Sequence, residues 1–323
     1  MPTLGATPVG ERGAIGLAPR FAWMDGRLIE WPSAHLHIDT HCVLGGLNVY
    51  EVVGAFWSEA RQNLFLFRVE EHLRRLHLSA KVMRLHLPFS DAELVEAARA
   101  LVAANEFRED VGIRIVAYFG AGPVFSYRPE EISTGVFMTA KPVGQGRRPG
   151  LHVCTAGWSR MPDIAAPPRV KAGANYQNVR LAQIQAHVDG YDDAIMLNSA
   201  AKVCEMPLAN IFLVRSGVVV TPDVSTGILE GITRQTVLEL APRLGLRAVE
   251  RQIERSELYA AEEVFATTTL TGISPILSID RYTVGRGTPG PLTERLQRRL
   301  DDETRSESNL AWVTPVYDRR ASP

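Results

Sequence analysis

Residues 171–178 read Lys171-Ala172-Gly173-Ala174-Asn175-Tyr176-Gln177-Asn178, a lysine followed by small residues just before a helix. Small side chains let the backbone pass close to a ligand, and Tyr176 lies near enough in sequence to share a site with Lys171. This context separates Lys171 from the solvated surface lysines that most lysines are. The spacing predicts a helix from Val179 to Val188, stopped by Gly190.

Toward the C-terminus, short apolar runs predict strands at Ala194–Leu197, Ile211–Val214 and, after the Ser216-Gly217 turn, Val218–Thr221. A helix from Thr233 to Leu244 ends at Gly245, strands follow at Val249–Ile253 and Val264–Thr267, and a last helix spans Thr293–Asp301. Toward the N-terminus, an irregular stretch Met161–Arg169 follows a strand at Leu151–Thr155. The run KPVGQGRRPG at 141–150 is too rich in Pro, Gly and charge for a core element and reads as a linker. Before it, Asp25-Gly26 suits a two-residue hairpin turn between Phe21–Met24 and Arg27–Ile29. Strands at Val49–Trp57 and Leu64–Phe67 precede a helix over Val69–Met83, with Leu73, Leu76 and Ala80 on one face. Ser90 and Glu93 form a capping box for a second helix, and strands at Ile113–Phe119 and Gly135–Ala140 close this half. Both halves are α+β, which divides the chain into an N-terminal domain 1–140, a linker 141–150 and a C-terminal domain 151–323. No internal repeat or low-complexity block interrupts them.

Composition narrows the partners. The 323 residues carry 35 Lys and Arg against 36 Asp and Glu, a net charge of -1 that gathers neither nucleic acid nor anionic lipid. No apolar run approaches a membrane span, and Met1–Pro19 has no signal-peptide pattern, so the cytoplasm is the expected compartment. Cys42, Cys154 and Cys204 form no close-spaced pair. His35, His37, His41 and Cys42 are close in sequence, yet alternation along a strand would spread them and their spacing matches no common zinc pattern, so no metal is expected.

The sequence resembles the fold-type IV family of pyridoxal-phosphate enzymes, which includes branched-chain and D-amino-acid aminotransferases and aminodeoxychorismate lyase. The resemblance is carried by an ordered set: EEHLRRLHLSAK (70–81), KAGANYQN (171–178), the segment 205–210, GILEGITR (227–234), ELYAAEEVF (257–265), the threonines 267–269 and GPLTERLQ (290–297). It implies the family's two-domain architecture of D-amino-acid aminotransferase type, with pyridoxal 5'-phosphate at the domain interface and a homodimer completing the pocket.

The residue types suit that chemistry. An amine must condense with the cofactor's aldehyde and later carry a proton between the substrate Cα and the cofactor; Lys171 resembles the residue with both roles. A buried carboxylate keeps a pyridine nitrogen protonated, and Glu205, roughly thirty residues after the lysine, resembles that group. Arg75 matches the phosphate-binding arginine, whereas Arg74 faces about 100° away on the helix. The backbone N–H groups opening the helix at Ile232 and Thr233 resemble a second phosphate contact, and Thr269 a hydroxyl donor to the same group. Tyr176 matches the phenol on the cofactor's 3-oxygen. Thr267 and Thr268 read instead as core strand residues.

For the substrate, Tyr50 occupies a pocket-wall position, and Arg114 aligns with an arginine placed near a substrate carboxylate. The sequence departs from the branched-chain pattern here: the aromatic residue and proline usual around Arg114 are missing, Gly45 replaces an aromatic, and EMPLAN (205–210) stands for a glycine-rich EGxGxN. The stretch around Tyr50 is closer to the D-amino-acid enzymes. The resemblance implies transamination between an apolar, branched-chain-like L-amino acid and a 2-oxo acid such as 2-oxoglutarate. The alternatives are a D-amino-acid or (R)-amine transaminase, a lyase of the aminodeoxychorismate type, and a non-catalytic cofactor-binding scaffold.

Overall fold

The computed structural model describes residues 19–123, 127–144, 149–306 and 311–317. Its first half contains β1 (Phe21–Met24), β2 (Arg27–Glu30), α1 (His41–Gly45), β3 (Asn48–Ser58), β4 (Asn63–Phe67), α2 (Val69–Val82), α3 (Asp91–Ala104), β5 (Val111–Phe119) and β6 (Thr134–Pro142). The second half contains β7 (Leu151–Thr155), α4 (Tyr176–Val188), β8 (Asp193–Ile195), β9 (Asn210–Arg215), β10 (Val218–Thr221), α5 (Ile232–Arg243) and β11 (Ala248–Glu250). It continues through α6 (Arg255–Tyr259), β12 (Glu263–Thr268), β13 (Gly272–Ile279), β14 (Tyr282–Thr283), α7 (Pro291–Thr304) and β15 (Val313–Pro315).

Two sheets organise these elements, one ordered β15-β4-β3-β5-β6-β1-β2 and the other β11-β10-β9-β12-β13-β7-β8. The first is antiparallel throughout; the second mixes in parallel pairs at β10–β11, β13–β7 and β7–β8. We propose residues 141–150 as the joint between the halves. Strand β6 runs on through Lys141 and Pro142, and residues 145–148 lie outside the described residues, as do Met1–Ala18 of the N-terminal reading. One strand departs from the division at 151: β15, from the end of the chain, pairs with β4 in the first sheet.

Local signals explain several elements. Asp25 and Gly26 take φ of 47° and 94°, the left-handed pair a tight hairpin turn requires, and Phe21 then faces Glu30 across β1–β2. The Ser90 hydroxyl accepts from the Glu93 N–H while the Glu93 carboxylate accepts from the Ser90 N–H, so α3 begins on a complete capping box. Other elements differ from the sequence reading. Strand β13 was not expected, because Gly272, Ser274 and Pro275 break its pattern; Pro275 is tolerated because the pairing with β7 begins one residue later, at Ile276. Helix α4 starts at Tyr176 rather than Val179, the strand expected at Val249–Ile253 shortens to β11, and His41 and Cys42 sit in α1 rather than on a strand.

Helices α2 and α3 bury Leu73, Leu76, Leu94, Ala98 and Leu101 against Val53, Ile113 and Ile115 of the first sheet. A second apolar cluster joins the halves, packing Phe56, Phe65 and Phe67 with Phe212, Phe265, Leu296 and Leu300; the Phe212 and Phe265 rings stack at 4.9 Å. Trp312, which leads into β15, lies between two guanidinium groups, 4.5 Å from Arg68 and 4.6 Å from Arg243, with its carbonyl accepting the Arg68 N–H. Trp312→Ala is expected to cost about 3–5 kcal/mol of unfolding free energy, the scale for a buried large aromatic. A denaturant midpoint equal to that of the parent would show that this anchor contributes nothing.

Candidate active site

Lys171 is fixed through its backbone before its side chain does anything. Its N–H donates to Ser79 Oγ of α2 at 3.2 Å, its carbonyl accepts the Tyr50 N–H of β3 at 3.0 Å, and Ala172 bridges to Val49. The small residues are needed for this approach: a Cβ on Gly173 would lie 2.6 Å from Asn48 Oδ1. The amine, Nζ, is then 2.9 Å from the Tyr176 hydroxyl and 5.1 and 5.6 Å from the ring centroids of Tyr50 and Tyr176. Burial and the adjoining Tyr176 push the Tyr50 phenol up, so it stays neutral.

Glu205 lies across the cleft in a tight turn closed by the Met206 N–H on the Ala209 carbonyl, so EMPLAN folds back without the expected glycines. The carboxylate is buried and takes three donors: Arg160 Nη2 at 2.8 Å on Oε1, and Asn210 Nδ2 at 3.0 Å and the Leu229 N–H at 3.1 Å on Oε2. Burial raises the Glu205 carboxyl, and Arg160 and the Leu229 N–H oppose that rise.

At another edge of the cleft, α2 buries Arg75 while its neighbour Arg74 is exposed, which is the helix face expected from the sequence. Helix α5 begins opposite, at Ile232 and Thr233, with Gly231 as its N-cap and therefore no capping side chain on the first N–H groups. Glycine is required at that cap, because a Cβ would lie 1.9 Å from Asn210 Oδ1. Arg75, Lys171, Tyr176, Glu205, Ile232, Thr233 and Thr269 all line this cleft. Tyr50 and Arg114 line an adjoining cavity that shares Lys171, Tyr176 and Thr269 with it, and the Arg114 guanidinium sits 5.6 Å from the Tyr50 ring centroid.

Two findings concern the lining. Thr267 and Thr268 lie in strand β12 as read from the sequence, and Thr267 is buried, but both also line the cleft, because β12 ends there. Arg160 was missed altogether; it comes from an irregular stretch, and no local pattern marks it as the partner of Glu205. The Thr267 hydroxyl and Arg160 Nε are buried without a hydrogen-bond partner. Together with the uncapped α5 N–H groups they form a surplus of donors, which fits an anionic ligand bearing several acceptors. Among the described residues no group of three or more His, Cys, Asp or Glu could hold a metal ion, and no helix is long and apolar enough to cross a membrane.

The amino-transferase class IV model matches residues 48–279. The chain belongs to the class IV aminotransferases. A probable branched-chain-amino-acid aminotransferase of Aquifex aeolicus is 35% identical over 93% of this chain and 97% of its own. The branched-chain aminotransferase of Thermoproteus uzoniensis, solved with norvaline, superposes with a TM-score of 0.88 at 37% identity, over 93% of this chain and all (100%) of its own. The branched-chain amino acid aminotransferase of Thermobaculum terrenum, solved in its PLP-form, gives 0.88 at 36% identity, over 93% and 99%. This class IV aminotransferase therefore has the α+β, two-domain fold-type IV architecture expected from the resemblance.

Proposed function

We propose that the protein binds pyridoxal 5'-phosphate in the cleft and transfers an amino group between a branched-chain-like L-amino acid and a 2-oxo acid such as 2-oxoglutarate. The observation that carries this reading is the single cleft in which the Lys171 amine meets a phenol, with a buried carboxylate and a set of anion donors around it. The names of the relatives support the substrate class. When bound, the cofactor supplies an aldehyde for an amine and a pyridine ring that takes up electron density from the substrate Cα.

The chain's own residues divide the remaining work. Lys171 Nζ holds the cofactor and afterwards moves the proton at the substrate Cα, and the Tyr176 hydroxyl orients that amine. Glu205 would hold a pyridine nitrogen in its protonated state, while Arg160 and Asn210 keep the carboxylate aimed. Arg75, the N–H groups of Ile232 and Thr233, and Thr269 receive the phosphate. Tyr50 walls the substrate cavity and Arg114 anchors a carboxylate there. The apolar, exposed Val43 and Leu44 of α1 support a homodimer, and a cytoplasmic location belongs to the same proposal.

A screen of amino donors, followed by the absorbance of the bound cofactor, tests the substrate. L-Leucine or larger apolar L-donors are expected to convert it and D-donors are not. Arg114→Ala is expected to raise the KM for the 2-oxo acid roughly 10- to 100-fold, the worth of one charge-assisted pair, with a smaller change in kcat. Preferential turnover of D-alanine, or of an amine lacking a carboxylate, would move the protein to the D-amino-acid or (R)-amine branch. That second reading has support in this chain, because the aromatic residue and proline usual around Arg114 are missing, and Leu270 packs over Gly112 of the same strand.

A further inference from the structure

Alternation along β3 sends Tyr50 toward the substrate cavity and Glu51 to the opposite face, against α2. There Glu51 is fully buried among apolar strand neighbours, Val49 and Val53, at a position where a valine would pack without any desolvation cost. Its carboxylate is completely engaged. Oε1 accepts Arg75 Nε at 2.7 Å, and Oε2 accepts Arg75 Nη2 at 2.8 Å and faces His72 Nδ1 at 2.8 Å. Despite full burial, Arg75 and His72 hold the Glu51 carboxyl well below the ordinary carboxylate range, whereas burial lowers the His72 imidazole.

The donor arithmetic of Arg75 gives this arrangement a use. A guanidinium carries five N–H groups. Nε and one N–H of Nη2 go to Glu51, and one N–H of Nη1 goes to the Glu230 carbonyl at 2.6 Å. One N–H remains on each terminal nitrogen, that of Nη2 at the end of the fork because its other N–H is paired beside Nε, in a residue that lines the cleft. With its side edge held by a buried carboxylate, the planar group cannot turn about its stem without breaking two charge-assisted bonds.

We infer that Glu51 is a positioning residue for the cofactor phosphate: it locks the side edge of Arg75 so that the end of the fork faces the anion, and His72 holds Glu51 in place. The inference rests on the reading of Arg75 as a phosphate contact. It also accounts for Glu51 as the one charged residue of β3.

The test compares binding of pyridoxal 5'-phosphate with binding of pyridoxal, which lacks the phosphate, to the full-length protein stripped of cofactor. Glu51→Asp keeps the charge but is one methylene too short to hold Arg75 and His72 together. It is expected to weaken pyridoxal 5'-phosphate about tenfold or more and leave pyridoxal unchanged. Glu51→Gln is expected to do the same more strongly, and if it fails to fold, Glu51→Asp decides. An equal loss for both compounds, as a general packing defect would give, or no loss for either, would overturn the inference. Arg75→Ala is the separating arm: if it leaves the preference for the phosphorylated compound intact, the phosphate reading of Arg75 fails, and the role of Glu51 with it. Arg74→Ala, on the exposed face, is expected to change neither affinity.

Discussion

Lys171→Ala is expected to lose turnover by at least about 10²–10⁴-fold, because one group serves as both covalent partner and proton carrier. The cofactor should still bind, since Arg75, the α5 N-terminus and Glu205 remain. Borohydride treatment of the parent protein should fix the cofactor to the peptide containing Lys171, and the same treatment of the variant should label no peptide. The Tyr176 hydroxyl, 2.9 Å from Nζ, would be left without its amine partner but in place, so residual activity measures what orientation and electrostatics supply alone. A variant turning over at near the parental rate would remove Lys171 from the chemistry.

Glu205→Gln is expected to slow the half-reaction with an amino donor roughly 10²-fold or more while cofactor remains bound. The cause is visible in the hydrogen bonds. Glu205 receives only donors, from Arg160 on one oxygen and from Asn210 and Leu229 on the other. A glutamine must turn its NH₂ toward one of those donors, so either orientation sets donor against donor, and the neutral amide no longer favours a protonated ring nitrogen. Stopped-flow absorbance of the bound cofactor measures this rate. An unaltered rate would mean that the carboxylate plays no part in proton transfer.

Much of this arrangement was legible in the sequence because it is local. The Asp25-Gly26 hairpin and the Ser90–Glu93 cap follow from turn chemistry and capping, each readable over a few residues, and helical periodicity separates Arg75, which the family resemblance picks out, from Arg74. Strand β13 was hidden because Pro275 and Gly272 are strand breakers unless a neighbouring pairing starts late, and that depends on the register of β7. Arg160 was hidden for a related reason: its only functional mark is its contact with a carboxylate 45 positions away in the chain, made across the cleft. Thr267 showed ordinary strand propensity, and only the end of β12 at the cleft gives its hydroxyl a different meaning. Glu51 lies within the run Val49–Trp57 read as a strand, but its partners lie on another element and could be named only from the fold.

The late strand β15 has a consequence for biosynthesis. Strand β4 reads Asn63-Leu64-Phe65-Leu66-Phe67, is wholly buried, and would form the outer edge of its sheet without the pairing of Phe65–Phe67 to Val313–Pro315. Asn63 and Tyr317, which exchange two hydrogen bonds across this junction, are 254 residues apart. On a ribosome adding roughly 5–20 residues per second, an apolar, uncharged edge therefore waits at least about ten seconds for its cover. Such edges recruit other strands. Nascent chains of this protein should thus depend on a holdase, or on slow collapse of the first half, until Trp312 and the strand behind it emerge, and chains truncated before Trp312 should aggregate through β4.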